Sequence, residues 1–371
     1  MYALMADLHM HQWSAFASMN PDGVNNRLRG LLDEIERACK ELSQANDTDT
    51  NPTVIMAGDV FHVRGSVNPV VLNSLIDCLA ACHKQYGTRF VIIPGNHDLA
   101  GRDSERLGSA VTALECDYVT VTADTLTLSE HKVAMIPWHE STESLKAEIL
   151  RVRDELVGST TEGSVVDWDL VLHAPIDGVI DGLPSHGLDP AWLSETGFRR
   201  VYSGHYHNHK VFPAGLAVTE VVSIGALAHH TWSDVGTKAG FLLVDEDTMT
   251  WRKSHLPQFV DLSQLVAFDP NDVPLLVDGN YVRVRVEADK SKEVETARKE
   301  LMDMGAMAVL VQAMPKAAAV RAGATVATVN AGASLEASVS EFIKGMTGLA
   351  DSTRVATAAM DVLASVETSG D

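Results

Sequence analysis

The segment RFVIIPGNHD, residues 89–98, decides the fold because an apolar run ends in a short polar sequence. Two earlier runs have the same form, YALMAD at 2–7 and TVIMAGD at 53–59. All three are typical of buried strands, and residues 24–45 and 68–86 between them place apolar side chains at helical spacing. This alternation predicts an α/β fold, with a mostly parallel or mixed sheet and helices on its faces.

The strand series continues toward the middle of the chain. KVAMIPW at 132–138, WDLVLHA at 168–174 and FRRVYSG at 198–204 predict further buried strands, and residues 143–157 predict a helix. From about residue 210 the pattern is β-rich, which favours hairpins that close a second sheet against the first.

The last third of the chain predicts separate units. At roughly 100 to 200 residues per domain, 371 residues indicate about two domains. The polar, proline-containing stretch 267–280 resembles a linker, and 281–315 predicts a small βαβ-like unit. Two amphipathic helices are expected within 334–365. We therefore predict domain boundaries that divide the chain into residues 1–266, 267–330 and 331–371.

Polar residues fall where the predicted strands end. Because ligands bind at the carboxyl edge of open α/β sheets, separate strand ends deliver these side chains to one crevice. Carboxylate, imidazole and amide ligands without thiolate suit two divalent metals that share one carboxylate. We assign Asp7, His9 and His207 to one metal and Asn96, His173 and His205 to the other, with Asp59 bridging. Any one of these alone would more often be an ordinary hydrogen-bonded residue.

The same motifs carry a family resemblance. DLH at 7–9, AGDVFH at 57–62, PGNHD at 94–98, VLHA at 171–174 and SGHYH at 203–207 resemble the calcineurin-like metallophosphoesterase superfamily. Within it, GDVFHVR followed by VNP is most similar to SbcD-type nuclease subunits of double-strand-break repair and their bacteriophage recombination-endonuclease relatives. The GDxVDRG and GNHE motifs of the superfamily's Ser/Thr phosphatases are missing from this sequence.

The resemblance implies a fold and partners. It implies a two-sheet metallophosphoesterase sandwich with flanking helices over 1–266, a capping domain that contacts DNA over 267–330, and C-terminal helices over 331–371. Those helices resemble a segment that docks onto an SMC-like ATPase of the SbcC type, although such helices commonly pack on their own domain. A homodimer through the helices near 24–45 and 68–86 is also expected from the family.

The resemblance also implies a mechanism. A hydroxide bridging two divalent ions would attack the phosphodiester of DNA, and Mn²⁺ is the expected metal, with Mg²⁺, Fe and Zn²⁺ as alternatives. His97 would lie near the leaving oxygen as a general acid or transition-state donor. His62 would contact the substrate phosphate or orient Asp59. Whether His11 or Asp98 has a role in the site is left open, as are the substrate-binding residues.

Charge and composition limit the alternatives. The formal charge of −21 argues against a protein that binds nucleic acid through a basic face of its own. Metal ions or a basic partner subunit would therefore supply the attraction. No stretch approaches the roughly 18 apolar residues of a membrane span, and we expect a cytoplasmic protein of a bacterium or a phage-infected host. The leading hypothesis is a DNA exonuclease and endonuclease. The alternatives are a stand-alone phosphodiesterase or phosphatase on nucleotides or small phosphoesters, and a non-catalytic scaffold.

Overall fold

The computed structural model describes residues 1–46, 51–101, 106–159, 163–213, 219–264, 272–287 and 291–314. Met1–Val286 and Lys290–Gln312 form one compact unit, and the fold described below is that of this unit. The predicted docking segment 331–371 lies outside the described residues, as does the end of the predicted capping domain from residue 315 onward. The boundaries at 266 and 330 stay predictions.

Helices and strands alternate through most of this unit. Their order along the chain is β1 (Tyr2–Met5), α1 (Asn26–Ala45), β2 (Thr53–Ala57), α2 (Pro69–Tyr86), β3 (Arg89–Ile93), β4 (Val119–Val121), β5 (Leu126–Leu128), β6 (Val133–Ile136), α3 (Thr142–Ser159), β7 (Asp169–His173), α4 (Pro190–Ser194), β8 (Arg200–Gly204), β9 (Lys210–Phe212), β10 (Glu220–Ser223), β11 (Gly240–Val244), β12 (Met249–Lys253), β13 (Phe259–Asp261), α5 (Val273–Val277), β14 (Tyr281–Glu287), α6 (Ser291–Asp303) and β15 (Ala308–Met314).

The first sheet has the strand order β12-β11-β1-β2-β3-β4. Strands β1 to β4 are parallel neighbours, whereas β11 runs antiparallel to β1 and β12 antiparallel to β11. Helices α1 and α2 cover one face, where Leu28 and Ile35 pack in the same apolar cluster as Leu75 and Leu79. Covering that face explains why the central strands are continuous apolar runs rather than alternating ones.

The second sheet has the order β5-β6-β7-β8-β10-β9. Strands β6, β7, β8 and β10 are parallel, and the short edge strands β5 and β9 are antiparallel to their neighbours. Helix α3 covers its outer face through Leu145, Ile149 and Val152. Of the β-rich segments after residue 210, β9 and β10 therefore extend this sheet, while β11 and β12 return to the first one.

The inner faces of the two sheets form a common core. Leu4, Ile55 and Val91 of the first sheet share one buried cluster with Met135 and Val171 of the second. Two packed layers with helices outside are the predicted metallophosphoesterase-type sandwich, so the predicted α/β fold class is confirmed.

A third, smaller sheet has the order β13-β14-β15, with β13 and β14 parallel. Val277, Val282, Leu301 and Ala306 form its core. The stretch 267–280 was expected to be a linker, but its described part, 272–280, contains the short helix α5. The apolar sequence VPLLV explains the difference, because it buries Val277 against the small sheet. Within the described residues, no helix is both long and apolar enough to cross a membrane.

Candidate metal centre

Five strand ends meet at one edge of the two sheets. Asp7 and His9 follow β1, Asp59 follows β2, Asn96 follows β3, His173 ends β7, and His205 and His207 follow β8. The parallel register aligns these ends, since Met5 lies beside Met56 and His173 beside Gly204. All seven predicted ligands are thus brought to one place by the fold.

The seven side chains form two adjacent clusters. Donor atoms of Asp7, His9 and His207 lie within 4.8 Å of one another, and so do those of Asp59, His173 and His205. Asn96 belongs with the second cluster, because its Oδ1 lies 3.3 Å from His173 Nε2 and 3.0 Å from His205 Nδ1.

Asp59 touches both clusters. Its Oδ1 lies 3.4 Å from Nε2 of His173, and its Oδ2 lies 3.7 Å from Nε2 of His9. This is the position that a carboxylate shared between two cations would occupy. The geometry agrees with the ligand sets assigned from the sequence, and the coordination itself stays a prediction.

The backbone at this edge is strained. Asp7, His9, Asp59 and His205 have φ angles of 52°, 41°, 52° and 99°. Residues other than glycine rarely occupy this left-handed region, and such conformations cost about 1–3 kcal/mol each. Four of the seven predicted ligands therefore owe their orientation to backbone conformations that the surrounding fold must impose.

Two glycines leave room for the donor groups. A Cβ at Gly95 would overlap the carboxylate of Asp59, and a Cβ at Gly58 would overlap the imidazole of His173. Gly58 also has a φ of +86°, which favours glycine. The glycines of the GD and GNHD motifs are therefore needed for the close approach of side chains in the cluster.

A second layer of hydrogen bonds orients the imidazoles. His173 Nδ1 donates to the carbonyl oxygen of Ala57 at 2.8 Å, and His207 Nδ1 donates to the carboxylate of Asp234 at 2.6 Å. Each bond leaves Nε2 facing the cluster, as is usual for metal-binding histidines. His230 Nε2 in turn donates to the carbonyl oxygen of Asp7 at 3.0 Å.

Burial and mutual charge shift the pKa values of these groups. Burial raises the pKa of Asp7 to about 6 and lowers that of His205 to about 3. Burial opposes the charge on Asp59 and on His173, but their mutual attraction outweighs it, lowering the pKa of Asp59 and raising that of His173 to about 9. Without a cation, a proton on His173 is thus the counter-charge to buried carboxylates.

The donor set fits divalent cations on two further observations. Nδ1 of His9 is buried and has no hydrogen-bond partner among the described residues. Asp7 and Asp59 form no ion pair with lysine or arginine anywhere in the described part of the chain. Buried carboxylates normally have a cationic partner or coordinate a metal.

The two predicted catalytic histidines lie beside the clusters. His97 donates its backbone N–H to Asp59 Oδ1 at 2.8 Å, and its Nδ1 donates to the carbonyl oxygen of His62 at 2.7 Å. The rings of His97 and His62 stack with centroids 5.7 Å apart, and both lie against His9. Neither is fully buried.

His11 and Asp98, whose roles were left open, have different surroundings. The His11 ring contacts Trp13 and His62 rather than either cluster. Asp98 is buried and accepts backbone N–H groups of Val60, Phe61 and Gly95. Its carboxylate ties the turn after β2 to the turn after β3, which holds Asp59 and Asn96 in place.

Asp234 and His230 were missed by sequence reasoning. Both are buried; His230 lies in the loop before a short 3₁₀ turn at Trp232–Asp234, and Asp234 is the last residue of that turn. The sequence does carry a signal for the turn, because Thr231 and Asp234 form a capping box. Nothing in that signal indicates that Asp234 would contact His207.

Comparison with known proteins defines the family. The model of the calcineurin-like phosphoesterase family matches residues 2–209, more than half of the chain. The chain belongs to this family. All seven predicted ligands lie inside the matched range, whereas His230 and Asp234 lie beyond it. Members hydrolyse phosphoesters with divalent metals, and the described residues contain three groups of candidate ligands for them: the two clusters above and a third formed by His9, His62 and His97.

A solved structure provides a more distant comparison. The 5'-nucleotidase precursor from Thermus thermophilus shares 13% identity with a TM-score of 0.33, and the match covers 68% of this chain. It spans 53% of that protein, so the chain aligns with about half of its length. A search of curated proteins found no match.

Proposed function

We propose that this phosphoesterase is a metal-dependent DNA nuclease that acts on DNA ends together with an SMC-like ATPase. The observation that carries the hydrolytic part is the position of Asp59 between two clusters of donor atoms. The choice of DNA depends on the GDVFHVR and VNP sequences that resemble SbcD-type subunits.

Seven residues would hold two divalent ions, for which we favour Mn²⁺ with Mg²⁺, Fe and Zn²⁺ as alternatives. One ion would be held by Asp7, His9 and His207 and the other by Asn96, His173 and His205, with Asp59 shared. When bound, such a pair activates water and neutralises charge on the phosphodiester. The hydrogen bonds from His173 to Ala57 and from His207 to Asp234 fix the rings in position for this task.

His97 and His62 would act on the substrate. Because His97 Nδ1 is engaged by the carbonyl oxygen of His62, Nε2 is the nitrogen available to donate a proton toward the leaving oxygen. A positioned acid of this kind typically contributes about 10² to 10⁴ in rate. The His62 ring, stacked on His97, would contact the substrate phosphate.

The charge of the chain supports a partner subunit. A net charge of −21 repels DNA at long range, so the isolated chain should bind DNA weakly and with strong dependence on divalent ions. An ATPase of the SbcC type would supply the missing attraction. We also propose a homodimer through α1 and α2, where Val70 and Ile76 are partly exposed.

The test is degradation of linear DNA by the purified full chain with Mn²⁺. It is run with and without an SbcC-type ATPase, beside a chelator control and His97→Ala. We expect hydrolysis that is abolished by the chelator and reduced about a hundredfold or more in His97→Ala. His131→Ala is the matched control, because His131 lies at the opposite edge and bonds to Thr53.

Two outcomes would redirect the proposal. If DNA survives under every condition while bis(p-nitrophenyl) phosphate is cleaved, the stand-alone phosphodiesterase alternative replaces the DNA nuclease. If neither substrate is cleaved with metal bound, the non-catalytic scaffold is favoured instead.

A further inference from the structure

A cavity of about 170 Å³ lies behind the candidate metal centre. Its lining includes Trp13 from the loop after β1, Leu31 from α1, Tyr281 from β14 and Met307 from the segment before β15. The cavity is therefore bounded on one side by α1 and the loop after β1, and on the other side by the small sheet. An engineered protein cavity of about 150 Å³ admits benzene, so this one has the size for a single flat ring.

The cavity is separated from the metal centre by one layer of rings. His230 lines it, and the His230 ring lies 5.3 Å from the His9 ring and 5.4 Å from the His207 ring. Trp13 also lines it, with its ring centroid 4.4 Å from that of His62. A group seated in the cavity would thus lie one ring layer away from a phosphodiester at the centre.

The polar groups of the cavity offer donors. Arg27 lies against the rings of Trp13, Phe259 and Tyr281, at 5.3 to 5.7 Å from their centroids. Its terminal nitrogens donate to the carbonyl oxygens of Ala15 and His230, while Nε has no partner among the described residues.

Asn26 presents a second donor. Its Oδ1 accepts the N–H of Ser18, whereas its Nδ2 has no hydrogen-bond partner among the described residues. His229 and His230 also line the cavity, and their ring nitrogens are engaged elsewhere: those of His229 bond to Phe259 and Thr237, and Nε2 of His230 donates to the carbonyl oxygen of Asp7. The cavity therefore combines aromatic and apolar walls with unused donors, and a ligand must bring acceptors on a flat ring.

We propose that the cavity receives a pyrimidine base of the substrate strand, one ring layer away from the candidate metal centre. The carbonyl oxygens of a thymine would face Asn26 and Arg27, and its ring would pack against Trp13 and Tyr281. Aromatic side chains bind unpaired bases in this way in many proteins of single-stranded nucleic acid. The inference depends on the proposed action on DNA for its biological setting but not for its test.

The test measures the binding of thymidine to the full chain by ligand-observed NMR, in the presence of a chelator. Met307→Trp fills the cavity, and Met304→Trp is the matched control, because both methionines are exposed and only Met307 lines it. We expect saturable binding to the wild type and to Met304→Trp. Met307→Trp should weaken it about tenfold or more, because the indole would occupy the space in which the base stacks.

A second variant guards against a folding defect in Met307→Trp. Asn26→Ala removes one donor and should weaken thymidine binding about threefold to tenfold. Thermal melting checks that each variant folds. Absence of saturable thymidine binding, or equal binding by wild type and Met307→Trp, would overturn the proposal, and equal affinity for deoxyadenosine would overturn the assignment to a single-ring base.

The result can be separated from that of the nuclease assay, because thymidine has no phosphate and needs no metal. Thymidine binding without DNA hydrolysis refutes the nuclease and keeps the cavity as a pyrimidine site. DNA hydrolysis without thymidine binding refutes the cavity alone.

Discussion

Buried carboxylates lie at both ends of strand β7, but in the described part of the chain arginine pairs with them only at the start of the strand. At the start of the strand, Asp169 accepts the Tyr2 hydroxyl at 2.8 Å and two guanidinium nitrogens of Arg199 at 2.9 and 2.6 Å. At its end, beside His173, the carboxylates of Asp7 and Asp59 meet imidazoles and backbone N–H groups.

The difference is the one expected between a structural carboxylate and the carboxylates of a candidate metal centre. Asp169 accepts three hydrogen bonds, two of them from a bidentate arginine that also balances its charge. At the other end the carboxylates face imidazoles and have no lysine or arginine partner among the described residues, and four residues there have left-handed φ. Strained backbone conformations cluster at functional sites, and buried carboxylates without a lysine or arginine partner are suited to bind cations.

The largest effect should follow from removing the shared carboxylate. Asp59→Asn should lower phosphodiester hydrolysis by more than about a thousandfold, because metal binding contributes several kcal/mol of transition-state stabilisation. The initial rate on bis(p-nitrophenyl) phosphate at saturating Mn²⁺ measures this. Activity within tenfold of the wild type would remove Asp59 from the reaction.

Removing the Asp169 carboxylate at the start of β7 should lower the stability of the protein and leave its rate of hydrolysis unchanged. Asp169→Asn leaves the partly buried Arg199 guanidinium without its carboxylate and removes the charge of the fully buried Asp169, which should cost about 3 kcal/mol of unfolding free energy. Urea denaturation measures it, and the folded variant should keep its rate. Asp167→Asn is the control, because Asp167 is 58% exposed, pairs with Lys132 and should contribute less than about 1 kcal/mol. Equal losses in both variants would show that the Asp169 network has no special weight.

Replacing a glycine by alanine should have opposite effects beside the Asp59 carboxylate and at an open helix position. Gly95→Ala places a Cβ against the Asp59 carboxylate and should weaken Mn²⁺ binding about tenfold to a hundredfold, the range for disturbed ligand support. Gly158→Ala has open space around it in α3 and should instead stabilise the protein by about 0.5–1 kcal/mol. Calorimetric titration with Mn²⁺ separates the two, and unchanged affinity in Gly95→Ala would contradict the close packing.

The smallest effect should come from the outer layer. Asp234→Asn weakens the hydrogen bond that orients His207 and should reduce Mn²⁺ affinity about tenfold. Ser233→Ala, next to it in the same turn, tests for a general effect on the loop. If Asp234→Asn binds Mn²⁺ as tightly as Ser233→Ala and the wild type do, the Asp234 contact does not support the site.

Much of the fold could be predicted from periodicity. The segments 2–7, 53–59 and 89–96 contain β1, β2 and β3, and the helices predicted at 24–45 and 68–86 begin within two residues of α1 and α2. The short strands β4, β5 and β13 escaped, because three residues are too few to show a period. The return of β11 to pair with β1 depends on contacts across more than 230 residues, which no local pattern carries.

The site, like the fold, could be predicted where it depends on local sequence patterns and not where it depends on tertiary contacts. Residue types at strand ends indicated the seven candidate ligands, because a parallel sheet aligns its carboxyl ends. The contribution of His230 and Asp234 depends on a loop folding back over β1, and the left-handed φ of Asp7 and Asp59 depends on packing between turns. These are tertiary effects that the local sequence does not encode.

The central claim is that the end of β7 holds two cations, and metal stoichiometry tests it most directly. Equilibrium dialysis against Mn²⁺ followed by elemental analysis should find two ions per chain in the wild type and in Asp169→Asn, and at most one in Asp59→Asn. Two ions retained in Asp59→Asn, or none bound by the wild type, would contradict the account.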